Sequence, residues 1–243
     1  MKRKYIIVIL MLILMLSCGK KEKKNNNSKP KARIEQKETD KIKELIEKAK
    51  KGDVEAQTQL GEAYLHGIDT KVDYKKAMEW SKKAAAKKSY RAMTNVGIIY
   101  LEGLGVEKDY KKAYKSFSGG VDGGDMKAPR YLGIMYENGL GLKKSMDDAA
   151  FYYEIGDSSG DLTSRYNLGK IYEKAGDYAR AVELYKKTDD RMDHVTAPMY
   201  EALGDLYVNG KGVEKSIKEA KEWYEKAVKS GSRKAESKLD KLR

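Results

Sequence analysis

Few residues in this 243-residue chain have the type and spacing for covalent chemistry. The two histidines, His66 and His194, lie more than one hundred residues apart and form no metal-spaced pair. Cys18 is the only cysteine, which rules out zinc ligation by thiolates and a disulfide framework. Ser-x-x-Lys occurs at Ser17 to Lys20 and Ser28 to Lys31, both in polar or junctional sequence where no pocket can hold a nucleophile. Asp147-Asp148 and Asp189-Asp190 are carboxylate pairs, but adjacent side chains on a helix diverge and a loop pair is usually solvated. Gly103-Leu104-Gly105 and Gly210-Lys211-Gly212 fall between two helical patterns and not after a strand, so they do not read as phosphate loops. No catalytic residue, metal or cofactor is expected.

The elements that would position any site are repeats. From Ala92 to Ala128 the chain holds two helical stripes, Ala92, Val96, Gly97, Tyr100 and Tyr110, Ala113, Phe117, Val121, each followed by a glycine-rich turn. Glycine recurs at 61, 97, 133, 169 and 204, at intervals of 36, 36, 36 and 35, with a tyrosine three residues after each. Alanine opens the second stripe of every unit at Ala77, Ala113, Ala149, Ala181 and Ala220, and aromatics follow at Trp80, Phe117, Tyr152-Tyr153, Tyr185 and Trp223-Tyr224. Glycine inside a helix costs roughly 1 kcal/mol against alanine. Its return in register implies that the two helices cross there with no room for a side chain. One such hairpin cannot bury its own stripe, so the units must stack.

This pattern resembles the Sel-one-like repeat, a 36-residue relative of the tetratricopeptide repeat. The second unit carries the resemblance through Leu101-Glu102-Gly103-Leu104-Gly105-Val106 and Asp109-Tyr110-Lys111-Lys112-Ala113, the fifth through Tyr207-Val208-Asn209-Gly210-Lys211-Gly212-Val213 and Trp223-Tyr224-Glu225-Lys226-Ala227. The resemblance implies an all-α, right-handed superhelical solenoid of antiparallel helix pairs. It also implies a non-enzymatic scaffold that binds proteins or peptides. Cysteine-rich relatives of the family are linked with penicillin binding and weak lactamase activity, but their cysteine pairs are absent here. An envelope enzyme or accessory factor acting on peptidoglycan or β-lactams is the alternative. The fourth unit departs from the pattern: Tyr172 to Ala181 spans 9 residues where the other units have 13, and its sequence resembles an ordinary tetratricopeptide turn.

The expected organisation is a signal peptide at 1–17, a flexible basic tether at 18–39 and the solenoid at 40–243. Within the solenoid a capping helix at 40–52 precedes five repeats over about 53–234, and a second capping helix occupies 235–243. Lys2, Arg3 and Lys4 precede an apolar run from Tyr5 to Leu16 that is short of the roughly 20 residues a spanning helix needs. Leu16-Ser17-Cys18-Gly19 resembles the lipobox of bacterial lipoproteins, with Met15 where leucine is usual, which implies lipidation of Cys18 and an envelope location. The net charge of +13 is unevenly spread: +3 sits in Lys2 to Lys4, +7 between Lys20 and Lys51, and +3 from Gly52 onward. Such a distribution does not suit a nucleic-acid-binding domain. Beside a lipid anchor the basic segment suits anionic headgroups; solvated filler is the other reading.

In the tetratricopeptide superfamily the first helices line the concave side. One helical face, followed at i, i+4 and i+8, gives Thr58, Glu62, His66; Thr94, Ile98, Glu102; Arg130, Ile134, Asn138; Tyr166, Lys170, Lys174; and Glu201, Asp205, Asn209. The expected groove comprises Ile98, Glu102, Arg130, Ile134, Asn138, Tyr166, Lys170 and Lys174, an apolar floor with basic neighbours. Its expected occupant is a protein or peptide bearing a carboxylate. A longer turn around Asp189 to His194 is the other candidate surface.

Overall fold

Alternating helices and glycine turns build the molecule, a computed structural model that describes residues 29–188 and 191–242, with side chains from Asp40 onward. Residues 38–243 form one compact unit. Expectations for the signal segment, for Cys18 and for Asp189-Asp190 lie outside the described residues.

After α1 (Lys29–Lys50), five hairpins follow: α2 (Val54–His66) with α3 (Tyr74–Ala86), α4 (Tyr90–Glu102) with α5 (Tyr110–Asp122), α6 (Ala128–Asn138) with α7 (Met146–Ser158), α8 (Leu162–Ala175) with α9 (Tyr178–Lys186), and α10 (Ala197–Asn209) with α11 (Ile217–Lys229). Helix α12 (Arg233–Asp240) closes the C-terminal end. The described residues contain no strand. Each second helix packs on the next unit's first helix, and α2, α4, α6 and α8 also touch in succession. The all-α solenoid expected from the repeats is therefore what forms.

Local chemistry sets the boundaries. Asp53, Asp73, Ser89, Asp109, Ser145, Asp161, Asp177, Ser216 and Ser232 each accept a backbone N–H of the first turn that follows. Helices α6 and α10 begin instead with a proline in the first turn, where its missing N–H costs nothing. Every first helix ends on a left-handed glycine, Gly67, Gly103, Gly139, Gly176 or Gly210. The loop then returns so that the next helix's capping residue donates its N–H to the repeated tyrosine's carbonyl, as in Asp109 to Tyr100 at 3.0 Å. The shortened fourth unit makes the same closure, Asp177 to Tyr172 at 2.9 Å. It omits the loop residues without orphaning the carbonyl.

The helix-interior glycines sit where a ring needs the space. A Cβ on Gly97 would lie 2.5 Å from Phe117 Cε1, and one on Gly133 2.5 Å from Tyr153 Cε1; Gly169 and Gly204 face Tyr185 and Tyr224 in the same way. In the first unit Ser81 replaces the ring against Gly61. The five alanines that open the second helices are fully buried.

The N-terminal helix differs from the expected bounds. It begins at Lys29, eleven residues before the expected start at Asp40. Lys, Ala, Arg, Glu and Gln are good helix formers, and Pro30 stands in the first turn where it is tolerated. Its later turns cap the stack through buried Ile42 and Ala49, and Gln57 donates to the Ala49 carbonyl at 2.9 Å.

Candidate functional site

The first-helix face is graded along its length. At its N-terminal end, Thr58 and Thr94 are buried, and each hydroxyl reaches the residue that caps the next unit: Ser89 Oγ at 2.7 Å and Asp125 Oδ2 at 2.6 Å. Arg130 does the same with Asp161 at 3.1 Å and lies over the Tyr131 ring. In the fifth unit Glu201 accepts from Ser232 Oγ at 2.9 Å. This row therefore joins units together. Helical periodicity places these residues on one face, but it does not show that the next unit's capping turn covers that end.

The middle row is mixed. Ile98 was expected to face outward; it is only 9% exposed and packs in the core with Ile99 and Phe117. Ile134 is half-buried. Lys170 pairs with Glu173 at 3.2 Å. The fourth unit departs in the first row: Tyr166, at the position of Arg130, makes no bond to a next-unit cap among the described residues and is half-buried beside Tyr185, ring centroids 6.1 Å apart, with burial pushing its hydroxyl pKa up. The last row is open: His66, Glu102, Asn138, Lys174 and Asn209 are exposed, with the Asn138 and Asn209 amides turned back onto helix carbonyls.

Carboxylates that were not among the expected site residues organise this face. The ring beneath Gly133 carries its hydroxyl to Glu137 at 2.9 Å, and Lys174 of the next unit reaches the same carboxylate at 2.8 Å. Tyr185 donates to Glu173 at 2.7 Å, and Tyr224 to Asp205 at 2.7 Å. Lys238 of α12 spans Glu201 at 2.8 Å and Asp205 at 2.6 Å. Burial alone would push Glu137 up, but Lys174 and the Tyr153 hydroxyl outweigh it and hold the carboxyl below its ordinary value. Glu201 follows the same pattern, with Lys238 and Ser232 outweighing burial. Burial and these carboxylates together push the Tyr153 and Tyr185 hydroxyls far up. Arg130, Lys170 and Lys174 are thus each paired within the protein. A partner's carboxylate would have to share them.

Residues 54–89, 91–115, 128–156, 163–188 and 197–232 match the model of the Sel1 repeat. The chain belongs to the Sel1 repeat family. Among solved structures it is similar to a protective antigen of uropathogenic Escherichia coli that displays an SLR fold, with 26% identity and a TM-score of 0.74. It is also similar to a Sel1 repeat protein of Oxalobacter formigenes, with 25% identity and a TM-score of 0.68. These likenesses cover 83% of this chain, and 43% and 89% of the respective relatives, so the chain spans less than half of the E. coli antigen. An immunity protein of Pseudomonas aeruginosa shares the fold at 23% identity and a TM-score of 0.53, over 76% of this chain and 68% of its own. No curated protein matches by sequence.

Sel1 repeats are commonly scaffolds for protein–protein interaction. On this Sel1 stack His66, in the open row, and His194 are both exposed and belong to different units. Among the described residues no three His, Cys, Asp or Glu side chains are grouped to hold a metal ion. No helix among them is long and apolar enough to cross a membrane.

Proposed function

We propose that this protein is a non-enzymatic scaffold that holds a protein or peptide partner on the open part of its first-helix face, anchored to the cell envelope by a lipid on Cys18. The observation that carries the binding role is the lengthwise grading of that face in a Sel1 stack. One end is spent on joining units in every unit but the fourth, where Tyr166 takes that position; Tyr166, Glu102, Ile134, Asn138, Lys170 and Lys174 remain at least partly reachable over three successive units. Ile134 and Tyr166 supply apolar contact. Lys174, with its side chain 58% exposed, supplies a cation whose pairing with Glu137 is weak enough to share. Ile98 and Arg130 support this surface from beneath, by packing and by the ion pair to Asp161.

The anchoring role rests on the charged start, the short apolar run and the Ser17-Cys18-Gly19 junction. Cys18→Ala should release the protein to the soluble fraction and abolish incorporation of a labelled fatty acid; retention of either would refute the lipid. For the binding role, partners captured by crosslinking in cells are titrated against wild type and against Ile134→Ala, Tyr166→Ala and Lys174→Gln, with circular dichroism as the folding control. Weaker binding by folded variants supports the face. Wild-type binding by all three rejects it.

A further inference from the structure

The five repeated tyrosines invite comparison with one another. Four carry a cation of this chain over the ring: Lys76 over Tyr64 at 4.9 Å, Lys112 over Tyr100 at 5.2 Å, Arg180 over Tyr172 at 5.5 Å and Lys186 over Tyr207 at 5.2 Å. These cations come from two repeat positions. Lys76, Lys112 and Arg180 immediately precede the alanine that opens the second helix, and Lys186 stands five residues after it in the preceding unit. In the third unit both positions change: Asp148 precedes Ala149, and Ser118 follows Ala113 by five. Among the described residues Tyr136 has no cation over its ring.

What surrounds Tyr136 is suited to receive one. Tyr152 stacks on it with centroids 5.5 Å apart, and Tyr114 meets it edge-on at 6.5 Å. The exposed Phe151 extends the group, its ring 5.3 Å from Tyr152. A cleft of about 550 Å³ opens beside Tyr136, lined by Leu142, Lys143, Lys144, Asp147 and Asp148 among others. These four charged side chains are exposed, and no ion pair joins them to the described residues. The acidic first turn does complement the α7 dipole. Helix formation does not require it, because α3 and α5 start with Lys75-Lys76 and Lys111-Lys112 and have no acid in their first turns.

We propose that this cleft is a second binding site, which takes an ammonium or guanidinium side chain against Tyr136 and Asp148, from a peptide segment that also bears a carboxylate. An aromatic ring attracts a cation through its quadrupole, most strongly where water is partly excluded. Asp147 and Asp148 add negative charge, whereas Asp73, Asp109 and Asp177 of the first, second and fourth units are paired with their own Lys76, Lys112 and Arg180. Lys143 and Lys144 stand on the same rim and would repel a purely basic ligand, so the segment must be of mixed charge. The volume falls within the range of a small-ligand pocket and accommodates two side chains. None of the first-helix residues in the proposed partner face lines this cleft, so the two sites stand or fall separately.

The probe is the acetylated, amidated dipeptide Lys-Glu, titrated into the whole protein carrying 13C-labelled tyrosine. The Tyr136 ring signal is assigned by its loss in Tyr136→Phe. A saturable shift of that signal is expected with Lys-Glu and not with Glu-Glu. Asp148→Lys, which places a cation where the first, second and fourth units carry Lys76, Lys112 and Arg180, should weaken binding at least fivefold, while Glu236→Lys, the same charge change at an exposed position on α12, should not. Asp147→Asn/Asp148→Asn is made in parallel so that poor folding of the lysine variant leaves the test intact. No saturable Tyr136 shift, or equal affinity in the Asp148 variants, would overturn the proposal.

Discussion

In four of the five units the two ends of the first helix do different work although they share one face; the fourth, with Tyr166 at its N-terminal end, is the exception. At the N-terminal end Thr58, Thr94, Arg130 and Glu201 spend their polar groups on the next unit's cap. At the C-terminal end Glu102, Asn138, Lys174 and Asn209 are exposed and bind, at most, a single neighbour. A solenoid gains its stability from unit–unit interfaces. Residues near those interfaces are therefore not free to evolve toward a partner, whereas those a turn or two further along the same helix are.

Substitutions should separate the two ends by their effect on stability. The most severe is Gly97→Leu, because the Phe117 ring occupies the space a Cβ needs. Overpacking there should cost about 3 kcal/mol, seen as a lower denaturation midpoint; an unchanged midpoint would mean the hairpin can open at no cost. Next comes Ile98→Ala, which empties a core site and should cost about 2–3 kcal/mol. Ile134→Ala, at the same repeat position but half-buried, should cost roughly half as much. Equal losses would remove the distinction between a buried and a presented isoleucine.

Much of this was legible in the sequence, and for physical reasons. The glycine spacing and the alanines that open the second helices are strictly periodic signals, and each forms the element expected of it. The orientation of the candidate site residues was less legible. Periodicity assigns Thr94, Ile98 and Glu102 to one helix face, but their exposure depends on a capping turn about thirty residues away, such as Asp125 against Thr94. Lys170 pairs with Glu173 within its own helix, but the other two ion pairs that occupy the expected cations are equally non-local: Asp161 is 31 residues from Arg130, and Glu137 is 37 from Lys174. Their signal was present only between neighbouring units and not within one. The absent cap on Tyr136 could likewise have been found by aligning the five units position by position.

A smaller effect should come from acid. Glu137 and Glu201 titrate below the ordinary glutamate value of 4.5 in the folded protein, so each contributes stability that is present above that value and lost as pH falls through the lower, folded one. Thermal stability should therefore fall below about pH 4.5, and less steeply in Glu201→Gln, which no longer titrates. An identical acid profile in that variant would show that the link from Lys238 to Glu201 carries no weight. The smallest effects belong to the open end: Glu102→Ala and Asn138→Ala should leave stability within about 0.5 kcal/mol of wild type. A larger loss by thermal denaturation would mean that this end, too, holds the stack together.

The most direct test of the proposed binding face is photocrosslinking in cells from single positions. A photoreactive residue at Glu102, Asn138 or Lys174 samples the open end of the first helices; one at Glu79 or Glu225, both exposed on second helices, samples elsewhere. The first three positions should yield a crosslinked product of one common mass that the two controls do not give. Products from Glu79 or Glu225 alone, with none from the open end, would contradict the assignment of the partner to this face.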